Sequence, residues 1–144
     1  MENERAVDGR CMCGAVAVSA IVKNPILRAC HCDMCRRQTS SMFMSLAIVS
    51  GSLKVEGPAK SFRSSDWAER GFCTECGSTL WYGTLHNGER HPAAGLFENA
   101  AGAPIKLEFY SDMAPEAYAL SGNHRKMTAM ETERLFQSND GAES

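Results

Sequence analysis

Seven cysteines fall into three groups: Cys11 and Cys13 in CMCG, Cys30, Cys32 and Cys35 in CHCDMC, and Cys73 and Cys76 in CTECG. Thiolates are soft metal ligands and nucleophiles, so groups spaced this closely point to metal binding or thiol chemistry. CTECG has the two-residue spacing of a metal knuckle, with Gly77 free to take a left-handed backbone. CMCG precedes a strand-like run, and alternate residues of an extended chain face the same way, so Cys11 and Cys13 can aim both sulfurs at one point. The two pairs together make a closed four-thiolate set, the pattern of a structural zinc that ties the start of the fold to its middle. Redox chemistry is the alternative for an isolated pair.

Cys30, Cys32 and Cys35 supply three thiolates and leave one tetrahedral position open, as catalytic zinc sites do. Arg36 and Arg37 follow at once, placed either as solvated surface cations or to offset the cluster's charge and meet an anionic ligand. His31 lies between two cysteines. Adjacent residues of an extended segment point apart, which favours a hydrogen-bonding or packing role for it over ligation as a fourth donor. His86, His91 and His124 have no metal-like spacing and read as loop histidines. Asp33 and Glu75 sit inside the cysteine loops as candidate proton carriers that nothing singles out. Trp81, Tyr82, Phe43 and Phe72 read as core in preference to pocket lining.

The elements that must position these groups read as strands. AVAVSAIV (15–22), MFMSLAIV (42–49), LKVE (53–56), KSFRS (60–64), STLWYGTL (78–85), AAGLF (93–97) and IKLEFY (105–110) alternate or are β-rich, several apolar enough for burial on both faces. Gly51, Gly57-Pro58, Asn87-Gly88 and Gly102 punctuate them, and Asn87-Gly88 is a hairpin signal. Helix is scarce: a short turn after Cys35, and a short helix carrying Met130, Leu135 and Phe136 behind a capping box of Thr128 and Glu131. QSNDGAES reads as a frayed end.

The 144 residues read as one domain, 1–144, with its core over about 9–122. The opening MENERAVDGR lacks the apolar core of a secretory signal, so the chain reads as cytoplasmic, where clustered thiols favour metal or redox roles over disulfides. No apolar run is long enough to span a bilayer, and a net charge of -2 argues against nucleic acid as a partner.

CMCG, CHCDMCRR and GFCTECGS, in this order and at these gaps, resemble the glutathione-dependent formaldehyde-activating enzyme family, which includes centromere protein V. All seven cysteines match its pattern, as do Ser64-Ser65 and the Arg70-Gly71-Phe72 lead-in to Cys73. A looser match continues through Gly95, the run from 105 to 110 and Pro115. QTSSMF after Arg37 departs by lacking the glycine common there, and the chain is shorter than the founding enzymes. The resemblance implies an all-β, Mss4-like fold of twisted antiparallel sheets stabilised by zinc. It also implies a structural zinc on Cys11, Cys13, Cys73 and Cys76, and a second, catalytic zinc on Cys30, Cys32 and Cys35. The implied activity is carbon–sulfur lyase chemistry on a thiol and an aldehyde, such as glutathione with formaldehyde giving S-hydroxymethylglutathione. Two other functions stay open: a non-catalytic zinc-stabilised binding module, and a thiol redox or metal-buffering protein.

Overall fold

A computed structural model describes residues 3–143, and side chains through residue 137. The described residues are mostly β, with two α-helices. Its strands are β1 (Glu4–Arg10), β2 (Ala17–Lys23), β3 (Leu27–Cys30), β4 (Phe43–Leu46), β5 (Lys54–Glu56), β6 (Ala59–Arg63), β7 (Ala68–Cys73), β8 (Thr79–Thr84), β9 (Arg90–Pro92), β10 (Ile105–Phe109) and β11 (Arg125–Lys126). The helices are α1 (Asp33–Thr39) and α2 (Ala129–Glu143). Three sheets form, in the orders β1-β2-β5, β6-β7-β8-β9 and β11-β10-β3-β4.

The chain divides into two compact units, each built from two separate segments. The first takes residues 1–27 and 44–104, the second residues 28–43 and 105–144. In the first unit, β2 alternates strictly: Val18, Ala20 and Val22 are buried while their neighbours are not, so this strand is buried on one face only. β1 reads as a polar opening, yet all seven of its residues pair with β2, from Glu4 against Lys23 to Arg10 against Ala17. Backbone pairing to an apolar partner, with Val7 its one buried residue, overrides a charged sequence. The core gathers Val7, Val16, Val22, Leu46, Leu80, Trp81 and Phe97 together with Cys11 and Cys73. Trp81 packs on Gly71, where a Cβ would come within 2.3 Å of the indole.

Two strand expectations fail in this unit. AAGLF forms a single 3₁₀ turn over Ala94–Leu96, with only Ala93 and Phe97 making isolated bridges, to Ser45 and Gly9. The small residues there carry too little side chain to hold a ladder. MFMSLAIV keeps strand form only to Leu46. The Asn87-Gly88 turn does join two strands, β8 and β9; Gly88 takes φ 70°, Thr84 N–H donates to the Glu89 carbonyl and Gly88 N–H to the Thr84 carbonyl.

In the second unit β10 and β11 pair in parallel, a departure from all-antiparallel sheets. The Thr128–Glu131 capping box is present: the Thr128 amide donates to Glu131 Oε1 at 2.9 Å and the Glu131 amide to Thr128 Oγ1 at 3.2 Å. Phe136 of α2 meets Phe109 of β10, ring centroids 5.2 Å apart, and buried Thr132 accepts the Tyr110 amide. The helix runs on through residues 137–143, where the sequence reads as frayed, and Ser144 lies outside the described residues. No helix among the described residues is long and apolar enough to cross a membrane.

Candidate metal centres

The seven cysteines, none of them in a disulfide, form two groups. In the first unit the sulfurs of Cys11, Cys13, Cys73 and Cys76 all lie within 4.8 Å of one another. Cys11 and Cys13 Sγ are 3.6 Å apart, and Cys13 and Cys73 Sγ 3.9 Å. A tetrahedral ion with metal–sulfur bonds of about 2.3 Å sets its sulfurs about 3.8 Å apart, so this spacing fits a metal and is far too long for a disulfide.

Each pair arrives on a hairpin turn whose amides face the sulfurs. The Val16 amide donates to Cys11 Sγ at 3.3 Å, Ala15 to Cys13 Sγ at 3.4 Å and Glu75 to Cys73 Sγ at 3.3 Å. Cys11 and Cys13 therefore converge through a turn, closed by Gly14 N–H on the Cys11 carbonyl, and not through an extended strand. Gly14 (φ 84°) and Gly77 (φ 79°) supply the left-handed corners; at Gly77 the sequence anticipates it. Ser78, which the sequence does not single out, touches both pairs: its hydroxyl accepts the Met12 amide at 3.0 Å and lies 3.1 Å from Cys76 Sγ.

Four thiols this close cannot all ionise without a cation. The Ser78 hydroxyl, with the Cys13 and Ser78 amides, pulls the Cys76 thiol down to about 5. At Cys13 the Ala15 amide lowers the pKa, but burial and the neighbouring sulfurs outweigh it and the thiol is pushed up to about 12. Burial pushes Cys11 up as well, and there the Val16 amide and the Cys13 and Cys73 sulfurs win, leaving it lowered. One dipositive ion would resolve this competition by favouring thiolate at every position.

In the second unit Cys30, Cys32 and Cys35 hold their sulfurs within the same 4.8 Å limit. Cys30 ends β3, Cys32 precedes α1 in an extended conformation, and Cys35 faces inward from the first turn, 4% exposed. Cys32 Sγ caps α1 by accepting the Cys35 amide at 3.4 Å. The Cys30 thiol is pushed strongly up, first by Cys32, then by Cys35 and burial, the same crowding of like charge. Three converging sulfurs fit three corners of a tetrahedron.

His31 points away from these sulfurs, as its place in an extended segment requires: its Nε2 is 2.7 Å from Glu108 Oε1. The sequence misses Glu108 and the role of His124, whose side chain is 2% exposed and whose Nε2 meets Glu108 Oε2. Burial raises the Glu108 pKa, but the bonds from His124 and His31 outweigh it and hold the carboxyl below its usual 4.5. No spacing signal links residues 31, 108 and 124. His91 stacks on Tyr82 and His86 is an exposed turn residue. Tyr110 is a further residue near the cluster; its phenol is pushed up by burial first, then by Glu133 and the thiolates of Cys32 and Cys30.

Arg36 contacts Asp33 at 3.2 Å, so Asp33 acts as its partner. Arg36 and Arg37 line an open groove of about 530 Å³ with Ser40, Ser41, Pro115 and Tyr118. No carboxylate lines it. Ser64, named in the motif reading, accepts the Arg70 Nε–H at 3.3 Å, and the buried Arg70 guanidinium lies 4.9 Å over the Tyr82 ring. Trp81 and Phe43 are core, as expected, while Tyr82 and Phe72 are half-buried.

A profile of the glutathione-dependent formaldehyde-activating enzyme family matches residues 6–113, well over half of the chain. The protein belongs to this family. A protein of Schizosaccharomyces pombe, called an uncharacterized lyase, is 30% identical over 128 residues, covering 86% of this chain and 92% of that one. The crystal structure of a Rhodobacter sphaeroides protein aligns with a TM-score of 0.49 and 20% identity over 69% of this chain and 99% of the other. The matched span contains all seven cysteines of this chain and Glu108.

Proposed function

We propose that the protein is a zinc-dependent carbon–sulfur lyase of this family, acting on the adduct of a small thiol and an aldehyde, with glutathione and formaldehyde the first pair to test. The observation that carries this reading is the set of three converging sulfurs at Cys30, Cys32 and Cys35, which leaves a tetrahedral ion one free corner. The relative named as a lyase supports the reaction class.

Cys11, Cys13, Cys73 and Cys76 would hold a structural zinc, and Cys30, Cys32 and Cys35 a catalytic one. Zinc at the second cluster would supply Lewis acidity, stabilising a substrate thiolate or polarising a carbonyl. In the synthetic direction a sulfur–carbon bond forms and the thiol proton ends on the former carbonyl oxygen; the lyase direction reverses both. The chain's own part is to position the reactants. Arg36 and Arg37, the two residues of α1 that follow Cys35, present guanidinium donors in a groove that the Ser40, Ser41 and Tyr118 hydroxyls also line. A thiol that carries a carboxylate finds complementary charge there, and charge complementarity of this kind steers encounter.

Counting zinc by native mass spectrometry on chelator-free protein, followed by assay of glutathione with formaldehyde, tests the reading. Two zincs per chain and turnover that disappears in Cys32→Ser are expected. A wild type that holds a single zinc, and still holds it when Cys30, Cys32 and Cys35 are replaced by serine, would defeat it. That outcome would favour a zinc-stabilised binding module, the second reading, for which the exposed Phe62 and Trp67 of the first unit, 64% and 55% accessible, offer an apolar contact surface.

A further inference from the structure

Three buried polar groups of the second unit stand outside the reaction just described. Glu108 on β10 is 4% exposed, and each of its oxygens meets an imidazole: Oε1 the His31 Nε2 at 2.7 Å, Oε2 the His124 Nε2. Both imidazole side chains are closed to solvent, at 3% and 2%. Burying three such groups costs stability unless each is bonded, and these bonds satisfy both oxygens of the carboxylate.

The location of His31 gives the arrangement its consequence. It is the single residue between Cys30 and Cys32, and its amide donates to the Phe109 carbonyl at 3.1 Å. One main-chain and one side-chain bond thus tie the middle of Cys-His-Cys to two consecutive residues of β10. All three cysteines of the cluster lie on the segment 28–43, whereas Glu108 and His124 lie on the segment 105–144. In an extended backbone, neighbours point to opposite sides, so turning His31 swings the Cys30 and Cys32 sulfurs together the other way.

We propose that Glu108 is a positioning residue for the three-thiol cluster: acting through His31, it fixes the direction in which Cys30 and Cys32 present their sulfurs. His124 holds the other carboxylate oxygen and keeps Glu108 turned toward His31. The role is geometric. Length and reach of the acceptor matter, and its charge does not.

Two variants separate these. Glu108→Asp keeps the charge and withdraws the acceptor by one methylene; Glu108→Gln keeps the reach and a carbonyl acceptor for His31 and removes the charge. Cobalt(II) titration of the full chain, read by thiolate-to-metal charge-transfer absorption and by competition with a chromophoric chelator, reports each site. Glu108→Asp is expected to weaken the three-thiol site about 10- to 100-fold and alter its absorption, and Glu108→Gln to stay within about threefold of wild type. The four-cysteine site should be unchanged in both, which serves as the folding control.

Wild-type affinity in Glu108→Asp, or a loss in Glu108→Gln as large as in Glu108→Asp, would overturn the proposal. If Glu108→Asp loses the four-cysteine metal as well, His124→Asn, which frees the other oxygen, replaces it with the same ordering expected. The cobalt readout rests on the reading of Cys30, Cys32 and Cys35 as metal ligands. Arsenite, which condenses with three thiols and releases three waters, probes their convergence without that reading. A wild type that binds one cobalt yet captures arsenite would refute the metal reading alone, and the proposal would then stand or fall on slower arsenite capture by Glu108→Asp.

Discussion

The Ser78 hydroxyl lies 3.1 Å from Cys76 Sγ while accepting the Met12 amide at 3.0 Å, so one side chain links the two halves of the four-cysteine centre. Ser78→Ala removes a donor that holds Cys76 as thiolate and leaves the Met12 amide without its acceptor. The affinity of this centre for zinc should fall about tenfold or more, measured by chelator competition, with the three-cysteine cluster unaffected.

Metal removal should unfold the first unit, because Cys11 and Cys73 are part of its core as well as of the sulfur set. A strong chelator, or Cys73→Ser, is expected to lower Tm by about 10 °C or more in a thermal melt. Cys32→Ser should shift it by no more than about 3 °C, since Cys32 caps α1 and serine is a good cap. Equal losses in the two variants would contradict the separate roles.

Gly71 has no room for a side chain. A Cβ there would meet three atoms of the Trp81 indole at 2.3 to 2.4 Å, and Trp81 is 7% exposed, with nowhere to retreat. Gly71→Ala should cost about 3 kcal/mol, a fall in Tm of roughly 6 to 12 °C by calorimetry.

Glu108 gives a pH signature with a defined sign. Its folded pKa lies below the ordinary 4.5, so its contribution to stability is present above that value and is lost as pH falls through the folded pKa. Glu108→Gln should be less stable than wild type by about 1.5 to 3 kcal/mol at neutral pH, and the difference should close below pH 4.5. A difference that persists unchanged at lower pH would show that Glu108 is not the titrating group.

In the groove, Arg37→Gln should raise KM for a carboxylate-bearing thiol about three- to tenfold with kcat unchanged, and leave an uncharged thiol unaffected. A fall in kcat for both thiols would place Arg37 in the chemistry instead.

Much of the site was legible because ligand spacing is local. CTECG encodes its own turn, since a two-residue gap and a left-handed glycine suffice to aim two sulfurs at one point. The direction of His31 followed from alternation along an extended backbone. CMCG was harder: the convergence of Cys11 and Cys13 was foreseen, but the turn closed by Gly14 was not. The hairpin at Asn87-Gly88 and the Thr128–Glu131 cap were also written locally, in residues no more than a few positions apart.

By itself the sequence determined the grouping of the cysteines, the largely β character and the family, because these depend on residue type and short spacing. Only the tertiary structure decided that charged β1 is a full strand, that AAGLF is a turn, and that Ser78 bridges two cysteine pairs 60 residues apart along the chain. It alone brought Glu108 between His31 and His124. Each of these rests on the register of strands distant in sequence, and register is set by which apolar faces are buried together, a property of the assembled sheets that no short stretch of residues contains.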